Sequence, residues 1–387
     1  MNKQTIVYVG GFELPDKNAA AHRVLANAQA LKDCGYNIVL VGVTHSVSKD
    51  CNASILNSKT IFSGFECYAQ PYPKSKKDWL HYLTDTSAIE EILAAQKKLE
   101  AVVCYNYQSV ALAKFKKYAR CHNIKIIADC TEWYDVTGRS FAEKILKGGD
   151  IFYRMNMIQK HLDGLILISH YLEKFYRYNS NVIVLPPLVD IKNPKWQCKP
   201  MTMDESYVNF IFAGSIGTKK DEICAIVDAF CAPYLYEVSH LWIIGISKDD
   251  FLKVYPTFSE KMDKTKVSFA GRVSHIESLS YVKAADCSLI IRDKTRANDA
   301  GFPTKFVEAV TLGTDVLATD TSDLKAYVEK IPGLTVFDGE IREALKKKAN
   351  DIVEKKKKGW IKQMNNCFDY RNYVNDIKSL FKNSRKN

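Results

Sequence analysis

The stretch Asn298-Asp-Ala-Gly-Phe-Pro-Thr-Lys-Phe-Val-Glu-Ala-Val-Thr-Leu-Gly-Thr314 decides how the rest of the chain is read. It follows a short apolar run, Ser288-Leu-Ile-Ile291, passes a glycine and a proline, and then reads as a helix ending at Gly313. Pro303 suits a first helical turn because it has no amide hydrogen to leave unpaired, and Gly313 suits a left-handed cap at the far end. A strand, a glycine-bearing loop and a helix start together present backbone N–H groups to a phosphate. Lys305 adds a positive charge, and Glu308, one turn on, is placed to accept hydrogen bonds from sugar hydroxyls. The combination points to a nucleotide or nucleotide-sugar. The same spacing also suits an ordinary strand–loop–helix with a solvated glutamate.

Working toward the N-terminus, short apolar runs alternate with helical patterns. Thr5 to Gly11 leads into the helical run Ala19 to Leu31, and further strands are predicted at Asn37–Val43, Ala101–Tyr105, Ile124–Ala128, Leu165–Ile168 and Val182–Leu185. After polar, proline-containing residues from about Lys192 to Glu205 the alternation restarts at Val208 and continues through Leu241–Ile246, Val267–Val273, Val316–Ala318 and Leu334–Phe337. Such alternation implies parallel sheets with helices on both faces, and ligands at the carboxyl ends of the strands. A chain of 387 residues is long for one core. The expected division is 1–190, 206–365, and a C-terminal helix in 366–387.

Two strand ends in the first half carry polar groups. Gly10 and Gly11 either let backbone approach a ligand, with Arg23 in the next helix, or form a plain tight turn. Asp129-Cys-Thr-Glu-Trp-Tyr134 sets two carboxylates, Asp129 and Glu132, beside two aromatic rings, as a sugar site would; Asp129 or Thr131 would serve equally as a helix cap. The stretch Ser140 to Ile158 mixes large apolar residues with Lys144, Lys147 and Arg154, which suits a lipid interface or a packed helix, and packing is favoured.

Composition removes several classes. The chain is 47% hydrophobic and 26% charged, and no run approaches the ~18 apolar residues that a membrane-spanning helix needs. The apolar positions before Gly10 are too few for a signal-peptide core, so a cytoplasmic protein is expected. Eleven cysteines without a Cys-x-x-Cys pair argue for a reducing compartment, with Cys104 and Cys287 acting as small buried hydrophobes. The histidines do not cluster with Cys or carboxylates at ligand spacing, so no metal is expected. Of the net charge of +11, residues 344–387 carry most, with thirteen Lys or Arg against four acids. A solvated helix or an anionic membrane surface accounts for that; no nucleic-acid motif accompanies it.

Gly301-Phe-Pro-Thr-Lys-Phe-Val-Glu308, followed by Gly313-Thr-Asp-Val-Leu-Ala318, resembles the donor-binding signature of the retaining family 4 glycosyltransferases of GT-B fold, especially the bacterial surface-polysaccharide branch. In that family the second Glu of a Glu-x7-Glu motif holds the donor ribose, and Glu308 matches it; the first falls on Ala300. Relatives show Gly-Arg with a Lys five residues after the Arg. Here Gly214 is followed by Ser215, and Lys220 matches the Lys. The resemblance implies an α/β fold of two Rossmann-like domains facing a cleft, with the C-terminal helix of 366–387 returning to the first domain. It implies no cofactor beyond the substrate, a nucleoside diphosphate sugar, and no metal. The donor would be held by Gly10, Gly11, Gly214, Ser215, Lys220, Arg272, Gly301, Phe302, Pro303, Thr304, Lys305 and Glu308. Lys220 and Lys305 would carry the leaving diphosphate, while Asp129 and Glu132 would act on a saccharide acceptor, lipid-linked and at the inner membrane face. An epimerase of the same fold and a noncatalytic partner subunit, suggested by Ala300 and Ser215, are the rival readings.

Overall fold

The computed structural model describes residues 3–14, 18–45, 55–134, 136, 140–214, 222–262 and 265–382. They fall into two compact units, one of Met1–Val189 with Asp369–Asn387, the other of Asp190–Phe368. The first is built on an eight-stranded sheet of β1 (Thr5–Glu13), β2 (Asn37–Thr44), β3 (Thr60–Phe62), β4 (Phe65–Pro71), β5 (Leu99–Tyr105), β6 (Lys125–Cys130), β7 (Gly164–Leu167) and β8 (Val182–Val184). Their order is β3-β4-β2-β1-β5-β6-β7-β8, parallel throughout except the β3–β4 hairpin. The central strands are continuous apolar runs because helices cover both faces, as in Ile6–Val9 and Val102–Cys104, all buried.

The second unit holds six parallel strands, β9 (Val208–Ala213), β10 (Ser239–Ile244), β11 (Val267–Gly271), β12 (Cys287–Ile290), β13 (Asp315–Thr319) and β14 (Leu334–Phe337), ordered β11-β10-β9-β12-β13-β14. The chain runs outward from β9 to β11, then returns to the other side of β9 at β12. That reversal opens a crevice at the carboxyl ends of β9 and β12, where doubly wound sheets bind ligands.

Several expectations are corrected. The first strand does not end on its glycines but continues through Gly10 and Gly11 to Glu13, with a register shift against β2 after Val9. The segment before residue 85 holds the β3–β4 hairpin and a capped helix, Lys76–Thr84. A further helix, Ser87–Ala95, then leads to β5 at Leu99.

Four lysines of the basic run at 344–387 are tied into the second unit, while Lys346, Lys347, Lys357, Lys358, Lys378 and Lys382 are exposed. Buried Lys348 holds Asp315 at 2.8 Å, where Lys355 joins it at 2.9 Å, and Lys356 pairs with Asp286 at 2.7 Å. Lys362 donates to the carbonyls of Lys283, Ala284 and Ala285. These four lysines tie the helix Ile341–Lys357 and the segment after it to the second unit. The last helix, Val374–Lys382, puts Ile377, Leu380 and Phe381 into the first unit's core beside Ile6, Val24 and Leu31.

Candidate functional site

At the crevice in the second sheet, β9 ends in Gly214, whose N–H donates to the Ile244 carbonyl at 3.0 Å. Lys305, from the helix Thr304–Thr311, lies across this turn with its Nζ 4.1 Å from the centre of the Phe212 ring. A Cβ built on Gly214 would meet that Nζ at 2.7 Å, so the glycine is what lets the lysine settle there. The helix begins directly after Pro303, which supplies no side-chain cap. A helix start leaves its first amides without partners in the helix itself, and its dipole favours an anion there.

Glu308 is partly buried one turn along, and its Oε1 lies 3.0 Å from Nε2 of His275. His275 opens the helix His275–Ala284, positioned by Ser274, whose hydroxyl accepts the Glu277 N–H at 3.2 Å. The sequence reading missed His275. Its signal was the position of Ser274-His275 at a helix start just beyond a strand end. Arg272 stands exposed after Gly271, which takes a φ of +69° as β11 ends.

The loop between β12 and Lys305 is more structured than expected. A short helix, Arg296–Ala300, precedes Gly301, whose carbonyl accepts from the Ser322 hydroxyl. The Phe302 side chain, expected at the donor, is instead buried against Phe306, Tyr327 and Phe368 with ring centres 5.8–6.0 Å apart. It anchors the loop that leads into the helix Thr304–Thr311. Ser215 and Lys220 lie outside the described residues.

In the first unit the expected roles shift further. Asp129 is fully buried, 2.8 Å from Arg23 Nη2, and its Oδ2 accepts the Tyr8 hydroxyl at 2.5 Å. Arg23 also donates to the carbonyls of Leu185 and Pro186 at 2.9 and 3.2 Å. Burial, then the Asp129 charge, push the Tyr8 phenol well above its ordinary value, so it stays a donor. Asp129 is therefore corrected from an acceptor-site group to the centre of an internal ion pair, and Arg23 from a ligand-facing residue to its partner. Gly10 is buried because a Cβ there would lie 2.7 Å from the Tyr105 carbonyl on the neighbouring strand, so it makes room for protein. Gly11 is exposed, and a Cβ there would lie 3.4 Å from the Tyr82 hydroxyl.

Glu132 is exposed, near Tyr105 and Tyr134. The two aromatic residues expected beside it face inward: Trp133 packs edge-on against Tyr171 and Phe175, and Tyr134 carries the Arg154 guanidinium 3.8 Å from its centre. A different aromatic row rims the carboxyl edge of this sheet. His45 stacks on Tyr72 at 4.1 Å, Tyr72 meets Trp79 at 5.6 Å, and Trp79 meets Tyr82 at 6.0 Å. Glu13, at the end of β1, holds His45 Nδ1 at 2.8 Å. A row of rings with a carboxylate at one end has the chemistry of a sugar site.

Residues 207–355 match the family model described as glycosyl transferases group 1. Gly214, Arg272, His275, Lys305 and Glu308 all lie within the matched residues, and the two-sheet architecture is that of GT-B glycosyltransferases. Among solved structures, a sucrose-phosphate synthase from Thermosynechococcus elongatus is similar over 98% of this chain and 95% of its own, at 13% identity and a TM-score of 0.66. A glycosyltransferase from Rickettsia africae aligns over 99% and 100% of the two chains, at 14% identity and a TM-score of 0.63. HepE from Anabaena, in complex with UDP-glucose, aligns over 98% and 99%, at 14% identity and a TM-score of 0.63. No curated protein matches the chain by sequence.

Proposed function

We propose that the chain transfers a glycosyl unit from a nucleoside diphosphate sugar to a saccharide hydroxyl with retention at the anomeric carbon. The observation that carries this is the placement of Lys305 over Gly214, with Glu308 held by His275, at the strand-order reversal within the matched residues. Charge develops on the diphosphate as it leaves, and a fixed lysine beside helix-start amides stabilises it without a metal. Lys305 and the amides near Thr304 take this role, joined by Lys220 from the preceding loop. Glu308 accepts the ribose hydroxyls, and His275 fixes its rotamer. HepE was solved with UDP-glucose, which favours a uridine nucleotide as the first donor to try.

On the acceptor side, exposed Glu132 and the Tyr72–Trp79–Tyr82 row are the groups we assign to a saccharide. A lipid-linked acceptor, surface-polysaccharide assembly and a place at the inner membrane face extend this reading. They rest on the likeness of Gly301–Glu308 to that branch of the family.

Glu308→Ala tests the placement. Losing a carboxylate that accepts hydroxyl hydrogen bonds costs about 1.5–3 kcal/mol, so donor affinity measured by calorimetry should fall about tenfold to a hundredfold. Thermal unfolding should be nearly unchanged, since Glu308 is partly exposed. Parent-like donor affinity and turnover in the variant would remove Glu308 from the site.

A further inference from the structure

One helix of the first unit gathers several exposed large apolar side chains. In Phe141–Phe152, the residues Phe141, Ile145, Leu146 and Phe152 are each 59–80% exposed, and the π-helical turn Tyr153–Ile158 that continues it adds exposed Tyr153 and Met157. At about 100° per residue, Phe141, Phe152 and Ile145 lie on one side, and Tyr153 and Leu146 widen the same arc. Met155 and Ile158 turn inward and fasten the element to the unit. The sequence reading favoured packing for this whole stretch; only its second half packs.

The charges around this arc sum to an excess of cations, supplied by the neighbouring helix. Lys144 and Lys147 are exposed on the helix itself. Its two acids are engaged, Glu143 in a capping box with Ser140 and Asp150 in accepting the Ser109 N–H at 2.9 Å. Beside it, the helix Ser109–Cys121 brings Lys116, Lys117 and Arg120 to a groove of about 450 Å³. Tyr153, Met157 and Ile158 form the other wall, and none of the described residues lining the groove is acidic. One wall thus suits a phosphate and the other an acyl chain.

Large apolar side chains at the tip of a helix with lysine and arginine behind them match the boundary of an anionic bilayer. Rings and aliphatic chains enter the acyl region while cations meet the lipid phosphates. No described helix is long and apolar enough to cross a membrane, so the contact lies in the plane of the interface. We infer that this face seats the chain on a bilayer containing anionic phospholipid, with Phe141–Phe152 in the interface and a lipid phosphate over Lys116, Lys117 and Arg120. The inference deepens the membrane part of the proposed function and moves it away from the C-terminal lysines. It stands without the donor site.

The test is co-sedimentation of the full chain with phosphatidylcholine vesicles, with and without phosphatidylglycerol. Partition should be at least about tenfold tighter on the anionic vesicles. Ile145→Glu with Leu146→Glu should abolish it, and Lys117→Glu with Arg120→Glu should weaken it about tenfold or more. Both double variants should keep the parent's thermal unfolding and its affinity for a nucleoside diphosphate, because the altered side chains are at the surface and remote in sequence from the residues that match the group 1 model. A parent chain that stays in the supernatant, or variants that partition like it, overturn the inference whatever the donor measurement gives. So does a result in which the apolar variant splits a dimer in sedimentation velocity while no chain binds vesicles, which would assign the face to a second copy.

Discussion

Asp129 and Glu308 are both carboxylates just beyond or within apolar runs, yet their surroundings give them opposite tasks. Around Asp129 the guanidinium of Arg23, the phenol of Tyr8 and the amide of Asn27 all converge in the interior. Removing one member of a buried pair leaves the other charged and without a partner, which costs about 3–5 kcal/mol. Asp129→Ala should therefore lower the unfolding free energy of the first unit, read from urea titration, by that amount and move its midpoint down, whereas Glu132→Ala, at an exposed position, should leave both in place. An Asp129→Ala protein with the parent's midpoint would show that the pair contributes nothing. This distinction was illegible in the sequence because the partners of Asp129 lie 106 and 121 residues away. Lys305 and Glu308 were legible because they share one helix with the signature. His275, 33 residues from Glu308, has no local pattern that ties it to the carboxylate.

At the level of elements, reading went best where strands were apolar throughout and turns were marked by glycine or proline. The helix Thr304–Thr311 follows Pro303 and ends just before Gly313, which takes a φ of +76°. A Cβ at Gly313 would also overlap the Gln363 carbonyl from the segment that crosses beneath it. The left-handed backbone alone costs a residue with a side chain about 1–2 kcal/mol, and the overlap adds to it. Gly313→Ala should lower the unfolding free energy of the second unit by more than that backbone cost; a loss no greater than about 1–2 kcal/mol would mean that Gln363 yields freely. The β3–β4 hairpin escaped notice because Thr60–Phe62 is only three residues long, too short for its alternation to be read. The lysines after residue 344 misled for a different reason. Their charge is visible in sequence, but Asp315 and Asp286, which hold them, sit at the starts of other strands or just before them.

For the molecule as a whole, two parallel sheets with separate cores follow from two blocks of strand–helix alternation, and that architecture was readable from the spacing of apolar runs. What the spacing does not specify is which core the last residues join. Tyr370, Ile377, Leu380 and Phe381 are all buried within the first unit. The Tyr370 hydroxyl reaches Asp33 at 3.0 Å, Asn181 donates to the Leu380 carbonyl at 3.0 Å, and Lys125 reaches the Phe381 carbonyl at 2.5 Å. Each large buried side chain contributes about 1.5–3 kcal/mol, so the four together approach the whole stability of an ordinary domain, about 5–15 kcal/mol. A chain ending at Phe368 should then lose the calorimetric transition of the first unit. The second unit has its own core, including Phe210, Phe230, Leu241 and Leu345, and owes none of it to these residues. Its transition should persist and should still move upward when a nucleoside diphosphate is added, because a ligand that binds only the folded state raises its unfolding temperature. If both transitions survive truncation at the parent temperatures, the terminal helix is an ornament on the first unit; if both vanish, the two cores do not fold independently.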